Sequence, residues 1–391
     1  MIHCPPLTRI LAGLALSLGL SSAQAQEPIK IGMLLTLSGP PAVLGEHIRD
    51  AFLLAVKEHD GQLGGVPVEV SVVDDELKPD SAITKAQALV ERDQVDFVVG
   101  TVFSNVMMAV FKPIVESETF LISPNAGPSP LAGRACSPFY FNVAWQNDGN
   151  HEVMGQYATD RGYGKVILMA PNYQAGKDSM AGFKRYYRGE VLDEIYTQMG
   201  QLDFSAELAR IAAAKPDALF TFMPGGMGVN LVKQYQQAGL AETTPFLSAF
   251  TVDETTLPAT QDAALGMNAG SQWAPNLDNP QNQAFVEAFE AEYEYAPSLY
   301  ASQGYDAALL LDSAIRTVGG DISDKDALRE ALKAADFDSV RGDFQFNSNH
   351  FPVQDYYLVE AVQDEDGDYV TSMVARVFED HADAYVDQCG M

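Results

Sequence analysis

Ile29-Lys30-Ile31-Gly32-Met33-Leu34-Leu35 is an apolar run rich in strand formers, and Ser38-Gly39-Pro40-Pro41 follows it as a turn with a proline suited to opening a helix. Leu44, Ile48, Ala51, Phe52, Ala55 and Val56 then recur at helical spacing, predicting an amphipathic helix that stops at Asp60-Gly61. His47 and His59 fall on its expected solvent face. The same unit repeats downstream. Residues 68–73 read as a strand ending in Asp74-Asp75, 81–92 as a helix and 97–100 as a strand. A helix over 104–115, bent or shortened near Pro113, leads to a strand over 120–122. Strand–helix alternation of this kind predicts a parallel sheet covered by helices on both faces.

A second series begins near Asn142. Residues 165–169, 191–196, 218–222 and 245–249 read as strands, with helices over 176–187, 205–214 and 228–238 between them. No linker-like stretch separates the two series, so two similar lobes are expected. Near Ser271-Gln272-Trp273 the pattern changes, and helices over 282–293 and 303–317 follow. A final hairpin pairs 356–362 with 369–377 around Asp366-Gly367. Asp364-Glu365-Asp366-Gly367-Asp368 reads as a solvated turn, because its spacing does not fit a helix-loop-helix calcium site.

Composition agrees with two folded domains. The chain has 391 residues, 47% hydrophobic and 20% charged, and a domain takes roughly 100–200 residues. Lys and Arg number 24 against 53 Asp and Glu, giving a net charge of −29. Such a surface repels phosphate backbones and anionic lipid, so nucleic acid and a membrane surface are poor partners. Any anionic ligand must be held by local donors.

Residues 1–25 read as a secretory signal: Arg9 supplies the charge, 10–20 are apolar, and Ala23-Gln24-Ala25 is a small-x-small cleavage site. The apolar run is too short to span a bilayer. Export removes Cys4 and leaves Cys136 and Cys389, which are expected to pair in an oxidising compartment rather than stay as thiols.

No catalytic signature is present. The chain lacks a Gly-x-Ser-x-Gly elbow and a phosphate-binding Gly-x-x-x-x-Gly-Lys loop, and Gly226-Met227-Gly228 has no third glycine. Six histidines are dispersed without metal-ligand spacing. No cofactor, no metal and no enzymatic activity are expected; an exported enzyme with a site assembled from distant residues is the remote alternative. Loops at the carboxyl ends of the strands draw more interest, because ligands of parallel α/β sheets bind there. They are Leu37-Ser38-Gly39-Pro40, Thr101-Val102-Phe103-Ser104-Asn105 and Ser123-Pro124-Asn125-Ala126-Gly127-Pro128. Ser104 reads either as an ordinary helix cap or as a hydroxyl which, with nearby backbone N–H groups, suits a carboxylate.

In order along the chain stand Ile-Gly-x-x-x-x-x-Ser-Gly-Pro, Gly-Thr-x-x-Ser, Ser-Pro-Asn-Ala-Gly-Pro-Ser and Tyr-Asp-Ala-Ala. This order, behind a signal peptide, resembles the type I periplasmic solute-binding proteins of branched-chain-amino-acid ABC transporters. The resemblance runs from Ile29 to about Val377. It implies two doubly wound parallel-sheet lobes joined by a three-segment hinge, crossing near 141–145, 269–273 and 346–351. Lobe I would comprise 26–142 and 273–348; lobe II would comprise 143–272 and 349–391 with the C-terminal tail. It also implies a periplasmic location, an ABC permease–ATPase complex as partner, and a monomer that closes on a small molecule.

By the same resemblance Ser104 corresponds to the serine that bonds the ligand carboxylate, and Asn125, Ala126 and Gly127 to a segment offering backbone groups. Gly127 stands where amino-acid binders have a threonine, and Leu44 where they often have tyrosine. Phe250 stands where leucine-type binders place the acid that pairs with the α-ammonium. An unpaired buried ammonium costs several kcal/mol, so the ligand is not expected to be an α-amino acid. Phe103, Tyr173, Pro224, Phe250, Trp273 and Tyr300 fall at or near site positions and suit a flat ring. The combination with Ala-Pro-Asn-Tyr and Ser-Gln-Trp-Ala-Pro resembles the branch that takes up aromatic carboxylates such as benzoate and phenylpropanoid derivatives. A branched-chain amino acid or amide binder or sensor is the alternative.

Overall fold

The computed structural model describes residues 1–3 and 27–391. The signal read over 1–25, with Cys4, therefore falls almost wholly outside the described residues. One sheet contains β1 (Ile29–Leu35), β2 (Gln62–Leu63), β3 (Val66–Asp74), β4 (Phe97–Gly100), β5 (Phe120–Ser123) and β6 (Tyr140–Asn142), in the order β2-β3-β1-β4-β5-β6. All its pairings are parallel except the β2–β3 hairpin. The second sheet contains β7 (Lys165–Pro171), β8 (Glu190–Thr197), β9 (Ala218–Thr221), β10 (Phe246–Ser248), β11 (Asn268–Ser271), β12 (Gln345–Phe346) and β13 (Pro352–Gln363). Its order is β12-β13-β11-β10-β9-β7-β8, with β14 (Tyr369–His381) paired to β13. Here β7 to β11 run parallel, and β13 is antiparallel to its neighbours.

Helices α1 (Val43–Glu58), α2 (Pro79–Gln87), α3 (Ser104–Glu116) and the short α4 (Ser129–Ala132) belong to the first series. In the second are α5 (Gly149–Asp160), α6 (Gln174–Tyr186), α7 (Ser205–Ala214), α8 (Gly226–Gln237) and α9 (Leu257–Thr260). Three helices then return to the first lobe: α10 (Pro280–Tyr293) and α11 (Leu299–Thr317) pack on α1, and α12 (Lys325–Ala334) packs on α11. The chain thus crosses between lobes three times, after β6, after β11 and between α12 and β13. Cys136, between α4 and β6, is disulfide-bonded to Cys389 in the C-terminal tail.

The alternation along β7 shows why both faces of the second sheet must be covered. Val166, Leu168 and Ala170 join one buried cluster while Ile167 and Met169 join the other, as the two-residue period of a strand requires. Helix starts lie earlier than the apolar periodicity alone suggests. Pro79 opens α2, Pro280 opens α10 behind the Asn279 side chain, which accepts from Gln281 N, and the Ser298 hydroxyl accepts from Tyr300 N and Ala301 N to start α11. One reading needs correction, and one helix, α5, has no counterpart in the sequence reading. His47 does not face solvent: it is 4% exposed, its ring 4.7 Å from that of Tyr295, because α10 and the loop after it cover that side of α1. Helix α5 has no clear apolar stripe, because the lobes bury its polar residues Asn150, His151 and Glu152 along with its apolar ones.

Candidate functional site

In each sheet the strand order reverses beside one strand. The chain goes from β1 to β3 on one side and then to β4 on the other; in the second sheet it goes from β7 to β8 and then to β9. Loops diverge at such a switch point and leave a crevice at the carboxyl ends of the strands. The two crevices face each other across one small cavity.

From the first lobe come Leu44 on α1, Val102, Phe103 and Ser104 after β4, Asn125 and Ala126 after β5, and Tyr300 at the start of α11. The first crossing supplies Trp145 and Asn147. From the second lobe come His151 on α5, Tyr173 and Ala175 after β7, Phe222 and Pro224 after β9, and Phe250 after β10. The lining contains no Lys, Arg, Asp or Glu.

Ser104 is the first residue of α3, and its cap residue is Phe103, which has no side-chain acceptor to give. The reading of Ser104 as an ordinary cap is therefore corrected. Its Oγ instead accepts from Asn147 Nδ2 at 3.0 Å. A hydroxyl that accepts this bond keeps its own proton free to donate elsewhere. The Asn147 amide cannot turn over, because its Oδ1 accepts from Gly127 N at 3.0 Å while Nδ2 also donates to Asp178 Oδ2 at 2.9 Å. The first intrahelical bond is made by Met107 N to Phe103 O, so the N–H groups of Ser104, Asn105 and Val106 precede it. An uncapped helix start beside a free hydroxyl proton is an anion-favouring corner.

The rest of the wall is aromatic. Phe103 lies 6.3 Å from Tyr173, Tyr173 6.1 Å from Phe222, and Phe222 5.7 Å from Phe250. Phe250 in turn lies 4.6 Å from Trp145 and 6.2 Å from Tyr300. These are ring separations of stacked and edge-on contacts. Phe250 holds a left-handed backbone, φ 58°, a costly conformation for a bulky residue that turns up at ligand sites.

Two carboxylates lie close behind the lining: Asp178 is engaged through both oxygens, whereas Asp253 keeps Oδ2 buried without a partner. Asp178 on α6 accepts from Ser129 N (3.1 Å), Ser129 Oγ (2.7 Å), Asn147 Nδ2 (2.9 Å) and Gln174 Nε2 (2.8 Å). Burial pushes its pKa up while these donors pull it down. Since Ser129 belongs to the first lobe, this group also bridges the lobes beside the cavity. Asp253 accepts from Thr255 N and Oγ1, and burial raises its pKa as well.

Of the residues singled out from sequence, Leu44, Phe103, Ser104, Asn125, Ala126, Tyr173, Pro224, Phe250 and Tyr300 are brought together around the cavity. Trp273 is not: its indole is buried in the first lobe, donating to Asn282 Oδ1 at 2.6 Å and meeting Phe285 edge-on. Gly127 does not line the cavity either. A side chain there is sterically blocked, since a Cβ would lie 2.1 Å from the Trp145 carbonyl oxygen. Asn125 contributes wall, its amide donating to Val102 O and accepting from Gln303 Nε2. Sequence reasoning missed Val102, Trp145, Asn147, His151, Ala175 and Phe222. Phe222 had a usable signal, being an aromatic at a strand end two residues before Pro224; Asn147 and His151 had none.

Two α/β lobes whose switch-point loops enclose one uncharged, ring-lined cavity define a hinged small-molecule binding protein. The chain belongs to the periplasmic binding protein family, whose model matches residues 28–368. It is 29% identical over 381 residues to a Leu/Ile/Val-binding protein homolog of Brucella melitensis, covering 94% of this chain and 95% of the relative. A solute-binding protein of an ABC transporter from R. palustris, solved in complex with benzoate, superposes with a TM-score of 0.88 at 33% identity, covering 93% of this chain and 100% of that one. Another, from Rhodopseudomonas palustris BisB5 in complex with 3,4-dihydroxy benzoic acid, has a TM-score of 0.84 at 27% identity, covering 91% and 99%.

Proposed function

We propose that this protein is the periplasmic receptor of an ABC importer and that it captures an aromatic carboxylate between its lobes. The observation carrying this reading is the direction of one proton. Ser104 Oγ already accepts from Asn147, so its hydroxyl proton is free beside the uncapped start of α3, in a cavity whose lining holds no carboxylate. The carboxylate is gripped at that corner, and the ring lies among Phe103, Tyr173, Phe222 and Phe250. Hinge closure buries it, and the closed form is the one a permease–ATPase complex recognises. The two solved relatives with benzoate-type ligands support this chemistry. Among the described residues no helix is long and apolar enough to cross a membrane, which suits a receptor that works beside one.

The Brucella relative's name points instead to branched-chain amino acids. An α-ammonium would find no carboxylate in the lining; behind it Asp178 is already held by four donors, while Asp253 accepts from Thr255 through Oδ1 and has one unpartnered oxygen, Oδ2. Titration calorimetry with benzoate and with leucine decides between the two. Heat with benzoate and none with leucine is expected; tight leucine binding without a benzoate response overturns the proposal.

A further inference from the structure

His151 is the one imidazole in the lining of the cavity. It is 1% exposed, and its Nδ1 is sealed from solvent without a hydrogen-bond partner. Phenyl rings hem it in, with centroids 5.2 Å away at Phe222, 5.5 Å at Phe250 and 5.7 Å at Phe220, all edge-on. Burial holds its pKa down to about 3, so the ring is neutral at ordinary pH and carries a single N–H. A buried N–H without an acceptor costs more than a bare lone pair. The sealed Nδ1 is therefore the lone pair, and the proton sits on Nε2, at the edge that remains for the cavity. No protein acceptor bonds it there among the described residues.

A donor that faces the cavity is left unmet once a ligand displaces solvent from it, so the occupant has to supply the acceptor. The carboxylate is held elsewhere, by Ser104 and the start of α3 on the opposite lobe. Tyr173 and Tyr300 also line the cavity with phenol groups that no protein group bonds among the described residues. We infer that His151 is a specificity-determining residue whose Nε2–H reads an oxygen substituent on the ligand's ring, remote from the carboxylate, so that the site selects hydroxylated aromatic carboxylates over the unsubstituted acid. A phenolic hydroxyl fits both needs: its oxygen accepts from His151, and its proton donates to a tyrosine oxygen. This inference rests on the aromatic-carboxylate reading of the cavity.

The test is calorimetric titration of the wild-type protein with benzoate, 3-hydroxybenzoate and 4-hydroxybenzoate, repeated with His151→Phe and His151→Leu. One hydroxybenzoate should bind at least about tenfold more tightly than benzoate to the wild type, the worth of one well-made buried hydrogen bond. Both variants should erase that preference, bringing the ratio of hydroxybenzoate to benzoate affinity close to one. Equal wild-type affinities for the three acids overturn the inference without recourse to any variant, as does a preference that survives in both variants. If none of the acids binds, the proposed function itself fails and the inference falls with it.

Discussion

The Arg341 guanidinium and the Asp306 carboxylate form an ion pair at 2.9 Å with side chains only 1% and 0% exposed. Arg341 also donates to Val143 O (2.5 Å), Ala144 O (2.8 Å) and Gln354 Oε1 (2.7 Å), and so ties the first and third crossings to α11. Arg341→Met leaves Asp306 charged and uncompensated inside the protein. Urea unfolding should register a loss of about 3–5 kcal/mol, and Arg341→Lys should recover little of it, since a single ammonium cannot reproduce the fork.

Ser104→Ala removes the hydroxyl that faces the ligand without removing a helix cap. Calorimetry should show benzoate-type acids weakened by roughly 1.5–3 kcal/mol, the worth of a hydrogen bond to a charged group. An affinity unchanged by the substitution would assign Ser104 to packing alone.

Asn147→Asp keeps the shape of the side chain but replaces its donor with an acceptor. The Ser104 proton then turns toward the new carboxylate and away from the ligand, and a negative charge is added beside Asp178. Affinity for aromatic acids should fall by at least about 2 kcal/mol, more than for Asn147→Ala. The opposite ranking of the two variants would show that Asn147 does not orient Ser104.

His47 gives a prediction in pH. Burial lowers its pKa to about 4, partly offset by Asp50, so the folded protein binds fewer protons than the unfolded chain between pH 6.5 and 4. Stability contributed by the neutral ring is therefore complete above pH 6.5 and is lost as pH falls. In His47→Phe, whose ring can pack on Phe289 and Tyr295, the loss of unfolding free energy between pH 7.5 and pH 5 should be about 2 kcal/mol smaller. Parallel pH profiles for the two proteins would place the acid sensitivity elsewhere.

Much of the fold is written in local patterns. Strands such as β1 and β4 are continuous apolar runs between turn residues, and strand–helix alternation by itself places the loops after them at a crevice. Ser104 was legible because position at a strand end carries meaning by itself, and Phe250 because the family resemblance placed it at the site. Trp273 misled for the same reason, since a crossing segment faces the core as readily as the cavity, and only the Asn282 partner decides which. Asn147 and His151 were beyond reach. They lie where the lobes meet, and burial there is imposed by contacts between distant parts of the chain, which leave no periodicity in the local sequence.

The bond between Cys136 and Cys389 closes a covalent ring across a sequence separation of 253 residues, taking in all three crossings. A protease that cleaves the exposed hairpin turn at Asp364–Asp368 would cut this ring once without releasing a fragment. The nicked molecule should migrate as one species on a denaturing gel without reductant and as two with it. To a single break in its backbone, most of this protein responds as a cyclised chain would.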